Sequence, residues 1–240
     1  MCLILAGLFP KRGEKVSIFA ISDLHLSFGV DKPMNIFRGW DNHTDRLCAN
    51  WRRLVKPEDT VVMPGDFSWG LKIEETLKDF EFLEALPGKK LILKGNHDLW
   101  WSTAKKLREF WQENNISSVD IIFNDCAVAE GKAIAGTRGW FYDDTGSKKV
   151  LLREAGRLDA SLKAAEQTGL PILTFLHYPP VYGDSVCNEI FDVLKAHGIE
   201  QVYYGHIHGA GFNNTVKEYE GIKLQLISCD CIDFTPLFIA

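Results

Sequence analysis

The sequence lacks a long apolar run, a paired-cysteine spacing and a net positive charge, and each absence narrows its reading. No stretch reaches the roughly 18–20 consecutive apolar residues of a membrane-spanning helix. The apolar segment at residues 2–9 is too short for one, and no basic region precedes it as in a secretory signal. Residues 1–15 are therefore expected to form a short extension or an added edge strand. Six cysteines, at positions 2, 48, 126, 187, 229 and 231, include no CxxC pair. A chain of 240 residues can bury a core without a disulfide scaffold, so reduced thiols and a cytosolic location are expected. Cys229-Asp230-Cys231 lacks a second pair of ligand-type residues and is not read as a metal site. A net charge of −5 supplies no overall basic field, so nucleic acid is not indicated as a partner, although a local basic cleft is not excluded.

What is present is ordinary soluble-protein composition, 46% hydrophobic and 25% charged, over a length that suits one α/β domain spanning residues 1–240. Apolar runs at 16–22, 60–64 and 90–94 read as buried strands. Helical spacing appears at 43–55 (Leu47, Trp51, Leu54, Val55) and at 72–86, and Ser102 or Thr103 caps a helix running to about Asn114. This β-α-β-α-β-α order predicts a mainly parallel sheet. The charges of helix 72–86 read as a solvated face. "DIIFND", "CAVAE" and "KAIAG" (120–125, 126–130, 132–136) are short β runs, for which antiparallel pairing is expected. A helix over 149–167, a strand over 171–176, a helix over 185–197, a strand over 201–204 and a hairpin in "VKEYEGIKLQLIS" (216–228) complete the order.

Ligand-type residues recur just after the strands: Asp23 and His25, Asp66, Asn96 and His97, His177, then His206 and His208. In a mostly parallel sheet the carboxyl ends of the strands share one edge, where such folds bind ligands. Five of the seven histidines stand at these positions. In extended backbone residues i and i+2 point to one side, so Asp23 with His25, and His206 with His208, are each expected to face one point. The glycines before Asp66, Asn96 and His206 permit sharp turns and close approach. Imidazole and carboxylate donors suit Mn, Fe, Zn or a similar ion. Asp23, His25, Asp66, Asn96, His177, His206 and His208 are too many ligands for one ion, but divide four and four between two if one carboxylate bridges.

The order Asp-x-His, Gly-Asp, Gly-Asn-His-Asp, a lone His and Gly-His-x-His resembles the calcineurin-like metallophosphoesterases, with matches from Asp23 to His208. The resemblance implies an α/β four-layer sandwich, two mixed β-sheets packed together and flanked by helices. It implies two divalent metal ions at the strand ends, with Asp23, His25 and His208 on the first, Asp66 bridging, and Asn96, His177 and His206 on the second. It further implies hydrolysis of a small phosphorylated substrate, a phosphomonoester or phosphodiester, by a bridging hydroxide. His97 would be the catalytic residue facing the substrate. The chain reads Gly65-Asp66-Phe67-Ser68-Trp69-Gly70 where protein Ser/Thr phosphatases carry Gly-Asp-x-x-Asp-Arg, which argues against that subgroup and leaves the partner of His97 open. Asp98 is a candidate for that support, and Arg138, Trp100 and Tyr178 are candidate substrate contacts. His43 and His197 fall in helices outside the motifs and are read as non-functional. A protein-binding scaffold with a degraded site, or a metal-dependent amidase, is the alternative.

Overall fold

The structure is a computed structural model that describes residues 3–4, 16–140 and 148–240. In chain order its elements are β1 (Leu3–Ile4), β2 (Ile18–Ala20), α1 (His43–Leu54), β3 (Thr60–Pro64), α2 (Leu77–Glu84), β4 (Lys89–Leu93), α3 (Ala104–Glu113), β5 (Val119–Ile121), β6 (Cys126–Ala129), β7 (Lys132–Thr137) and α4 (Lys148–Glu166). Then follow β8 (Ile172–Leu176), β9 (Val181–Tyr182), β10 (Ser185–Val186), α5 (Asn188–Ala196), β11 (Gln201–Tyr204), β12 (Glu218–Tyr219), β13 (Ile222–Leu226) and β14 (Leu237–Phe238).

The strands form two large mixed sheets. One has the order β14-β2-β3-β4-β5 and the other β1-β6-β7-β8-β11-β13-β12, while β9 and β10 pair apart. Their side chains alternate between two cores, which makes four layers. Ile18, Ala20, Val62 and Leu91 of the five-stranded sheet meet Ala127, Ile134 and Phe175 of the seven-stranded one in an apolar seam. The opposite face of the smaller sheet packs Val61, Met63 and Ile92 on Leu47, Trp51, Phe80 and Trp111 of α1, α2 and α3. The outer face of the larger sheet packs Ala135, Val202 and Leu224 on Leu158, Leu162, Ile190 and Leu194 of α4 and α5.

The structure differs from the sequence reading in four places. First, β5 joins β4 in parallel rather than antiparallel, because α3 carries the chain back across the sheet before β5 begins. Only "CAVAE" and "KAIAG" form an antiparallel hairpin, as β6 and β7, turning at Glu130 and Gly131, both with positive φ. Second, residues 181–186 form the β9–β10 hairpin around Gly183 at φ 56°, so α5 starts later than expected. Third, the helix at 72–86 opens with a 3-10 turn at Ile73–Thr76, and its acidic residues are not all solvated. Asp79 is buried. Its carboxylate accepts from the Phe28 N–H at 2.8 Å and from the Ser68 hydroxyl, tying the segment after β2 to the loop after β3. Fourth, Cys48, Cys187, Cys229 and Cys231 are free thiols as expected, but Cys126 is disulfide-bonded. Of the amino-terminal stretch, Leu3–Ile4 is an edge strand on β6. Residues 5–15, and 141–144 of the loop after β7, lie outside the described residues.

Candidate metal centre

Both sheets deliver their strand ends to one edge. The loop after β2 runs beside the loop after β3, with Asp23 N–H donating to Gly65 O, His25 N–H to Asp66 O and Leu26 N–H to Phe67 O at 2.9–3.0 Å. The seven-stranded sheet joins them where His206 N–H donates to both Asp23 oxygens at 3.0 Å. Ser228 Oγ also donates to Asp23, at 3.1 Å.

Two groups of side chains result. Asp23, His25 and His208 each offer a ligand atom, and the three atoms lie within 4.8 Å of one another; Asp66, His177 and His206 do the same. One Asp66 oxygen faces both groups, 3.9 Å from His25 Nε2 and 3.5 Å from His177 Nε2. Asn96 Oδ1 lies 2.6 Å from His177 Nε2 and 2.9 Å from His206 Nδ1, at the second group. His206 and His208 therefore serve different groups, and they do not face one point as the i, i+2 rule would have it. The rule fails because this backbone is not extended: Asp23, His25, Asp66 and His206 all have positive φ, at 61°, 47°, 53° and 71°. Such conformations cost of order 1–3 kcal/mol each for non-glycine residues and concentrate at functional sites. The neighbouring glycines give room for the carboxylates. A Cβ on Gly95 would lie 2.1 Å from Asp66 Oδ1, and one on Gly205 would lie 2.3 Å from Asp23 Oδ2.

The electrostatics suit cations. Burial, with the Asp23 and Asp98 charges nearby, holds Asp66 well above the ordinary carboxylate range. Burial likewise raises Asp23, but the His208 hydrogen bond and the surrounding histidines outweigh it and lower the net value. Burial pushes His25 well below the usual imidazole range and His177 down to about 3, so both rings are neutral and able to ligate at neutral pH. Burial would lower His208 too, but its bonds to Asp23 and Asp230 raise it to about 10. His25 Nε2 and His208 Nε2 stand 3.4 Å apart, and buried His25 Nδ1 has no hydrogen-bond partner among the described residues. Two close carboxylates and converging imidazoles fit divalent cations by donor type. Outer contacts orient the rings: His177 Nδ1–H donates to Pro64 O at 3.0 Å and His208 Nδ1–H to Asp230 at 2.8 Å. Asp230 is a site residue that sequence reasoning passed over.

The family model for calcineurin-like phosphoesterases matches residues 16–210. The chain belongs to that family. No curated protein matches this calcineurin-like phosphoesterase. Solved structures share the fold at low identity. The protein of unknown function AQ665 from Aquifex aeolicus superposes with TM-score 0.53 at 17% identity, covering 93% of this chain and 96% of its own. The phosphopantetheinyl hydrolase PptH from Mycobacterium tuberculosis gives 0.51 at 15%, covering 90% of both chains. TT1561 of Thermus thermophilus gives 0.53 at 14%, covering 94% and 99%.

The other sequence candidates occupy varied places in this phosphoesterase. His97 is half-buried at the mouth of the centre, its backbone N–H held by Asp66 Oδ1 at 2.8 Å. Its ring packs on Trp69 at 4.5 Å between centroids, and among the described residues no carboxylate pairs with that ring. Asp98 does not take that role. Its oxygens accept from the N–H groups of Asp66 at 2.9 Å, Phe67 at 3.0 Å and Gly95 at 2.7 Å, and from Trp100 Nε1 at 3.1 Å. It braces the loops after β3 and β4 against each other. Trp100 and Tyr178 are buried in the two outer cores, leaving almost no surface for a substrate. Arg138 is ion-paired with buried Glu154 at 3.3 Å, which Arg157 shares at 2.7 Å, and it lies over the Trp140 ring. Its charge is thus already engaged. His43 packs against Trp40 and Phe234, and His197 bridges Glu166 and Asp159.

Proposed function

We propose that this chain is a single-domain, metal-dependent phosphoesterase that hydrolyses a small phosphomonoester or phosphodiester with two divalent ions, Mn, Fe, Zn or similar. The observation that carries this reading is the Asp66 carboxylate, one oxygen of which faces both ligand groups. Asp23, His25 and His208 would hold one ion and Asn96, His177 and His206 the other, with Asp66 between them. When bound, such a pair supplies Lewis acidity to the phosphoryl oxygens and acidifies water.

The chain's own residues do the rest. Asp98 fixes the loops that carry Asp66 and Asn96. Asn96 adds an oxygen donor without adding negative charge beside an anionic substrate. Burial and the nearby His206 lower the pKa of His97, so its ring needs the anionic phosphoryl group to hold a proton. In hydrolysis a water oxygen joins phosphorus, and the ester P–O bond breaks with its electron pair on the departing oxygen. His97 gives that oxygen a proton, and the proton lost by the water restores the ring.

The presence of every ligand position favours an enzyme over a scaffold. Among the described residues no helix is long and apolar enough to cross a membrane. The four free thiols support a reducing, cytosolic compartment, against which stands the bonded Cys126. The test is a panel of mono- and diesters assayed with several divalent metals, beside matched amides. Metal-dependent ester hydrolysis is expected, and it should fall about 10²–10⁴-fold in His97→Ala at unchanged metal content. Hydrolysis of amides alone, or of nothing at full metal loading, contradicts the proposal.

A further inference from the structure

Among the described residues, a cavity opens onto the centre on the side of the His25–His208 group. It has a volume of about 410 Å³, and His25, His97 and His208 form its floor. Its apolar walls are Met34, Phe37, Trp40 and Trp69, Gly209 and Asp230 line it beside His208, and the exposed Arg38 completes the lining. The segment between β2 and α1 supplies Met34 through Trp40, and the loop after β3 supplies Trp69. These walls are fastened to the ligands. The Trp69 ring stacks on His25 at 4.8 Å and 21°, and its Nε1–H donates to Met34 Sδ at 3.2 Å. Trp40 tilts over both His25 and His208, at 5.8 and 5.7 Å. Asp79 holds the two wall-bearing segments together through Phe28 and Ser68.

Phe37, in contrast, is 50% exposed and Ile36 73% exposed, which is costly for large apolar groups unless something covers them. Arg38 is exposed, and it has no ion-pair partner among the described residues. A pocket of this size, mostly apolar with few polar groups, is what a small organic ligand needs. Three aromatic rings and a thioether favour a flat aromatic occupant over an aliphatic one, since rings gain from offset or edge contacts and from sulfur beyond their buried area.

We infer that this cavity receives the esterified organic group of the substrate, and that this group is a planar aromatic ring system carrying an anionic substituent for Arg38. The inference rests on the phosphoesterase reading and deepens it. The departing oxygen takes its proton at His97, and His97 is part of the cavity floor. The group attached to that oxygen therefore extends into the space walled by Phe37, Trp40 and Trp69, while the phosphoryl group stays over the two ligand groups. A substrate with a small aliphatic alcohol would leave the walls in water and gain nothing from them.

Binding of non-hydrolysable phosphonates to the metal-reconstituted protein, followed by calorimetry, tests this without relying on turnover. Benzylphosphonate is expected to bind at least tenfold more tightly than methylphosphonate, and more tightly than cyclohexylmethylphosphonate. 4-Carboxybenzylphosphonate should gain a further severalfold that Arg38→Gln removes. In Phe37→Ala, whose half-exposed side chain can be truncated without opening the core, the benzyl-to-methyl ratio should fall below threefold. Methylphosphonate binding with no aromatic preference, an equal gain from the cyclohexyl ring, or a ratio unchanged in Phe37→Ala would overturn the inference alone. Binding of neither methyl- nor benzylphosphonate to the metal-loaded protein would overturn the phosphoesterase reading and the inference with it.

Discussion

His208 Nδ1 lies 2.8 Å from Asp230 Oδ1. A carboxylate only accepts, so Nδ1 carries a proton for Asp230, while Nε2 faces Asp23, 3.4 Å away, and would give up its own proton to ligate an ion. The second Asp230 oxygen accepts from Gly209 N–H at 3.1 Å, which fixes the carboxylate in turn. Partners of this kind set the tautomer and basicity of a ligating histidine, and losing one typically costs 10–100-fold in metal affinity. Asp230→Ala should therefore weaken one of two metal-binding events by about 10–100-fold and leave the other near its original strength. Calorimetric metal titration separates the two, and an equal effect on both would count against a role confined to His208.

Asp98 tests the distinction between bracing and catalysis. Its carboxylate accepts from the N–H groups of four residues in two loops, Asp66, Phe67, Ser68 and Gly95, together with the Trp100 indole. Leaving buried donors unpaired costs about 1–3 kcal/mol each. Asp98→Ala should then lower unfolding free energy by at least about 3 kcal/mol in denaturant titration. His97→Ala should change stability little, because that ring is half-buried and without a carboxylate partner. A stable Asp98→Ala protein that lost only turnover would return Asp98 to the support of His97.

Asp79 makes stability depend on pH. Burial raises its carboxyl from 3.8 to about 6, and the hydrogen bonds from Ser68 and Phe28 only partly oppose the shift. The folded value lies above the unfolded one, so the folded state binds the proton more tightly. This residue's favourable contribution is complete below pH 3.8 and is lost as pH rises to about 6. A shift of this size corresponds to about 3 kcal/mol. Asp79→Asn keeps an acceptor for Phe28 and adds a donor for Ser68. Unfolding measured at pH 4 and pH 7 should show a smaller drop across that interval in the variant than in the wild type. An identical drop in both would show that Asp79 titrates normally.

The candidate ligands are legible in the sequence because each follows an apolar strand and stands out there as a polar residue, with Asp66, Asn96, His206 and His208 also beside a glycine. The alternation of apolar runs and helical spacing likewise makes the central strands of both sheets legible, though not β14 at the edge of the smaller one. Other features are not visible, for physical reasons. Asp230 sits in a turn after β13 and reaches His208 only through the meeting of two distant segments. Asp79 resembles any solvated acid of an amphipathic helix, since spacing does not reveal one buried charge. Trp100 and Tyr178 adjoin motif residues, yet their side chains turn into the cores. The extended-backbone rule places His206 with His208, but positive φ at His206 sends the two rings to separate groups. The pocket-forming role of Met34 through Trp40 has no periodic signal at all.

The central claim is that two ions share Asp66. It is tested most directly by metal content per chain after reconstitution with Mn or Zn and removal of loosely bound metal, for the wild type and for Asp66→Ala. Two ions per wild-type chain, with both lost in Asp66→Ala, is the predicted result. A wild type that takes up one ion or none, or an Asp66→Ala variant that retains two, would contradict it.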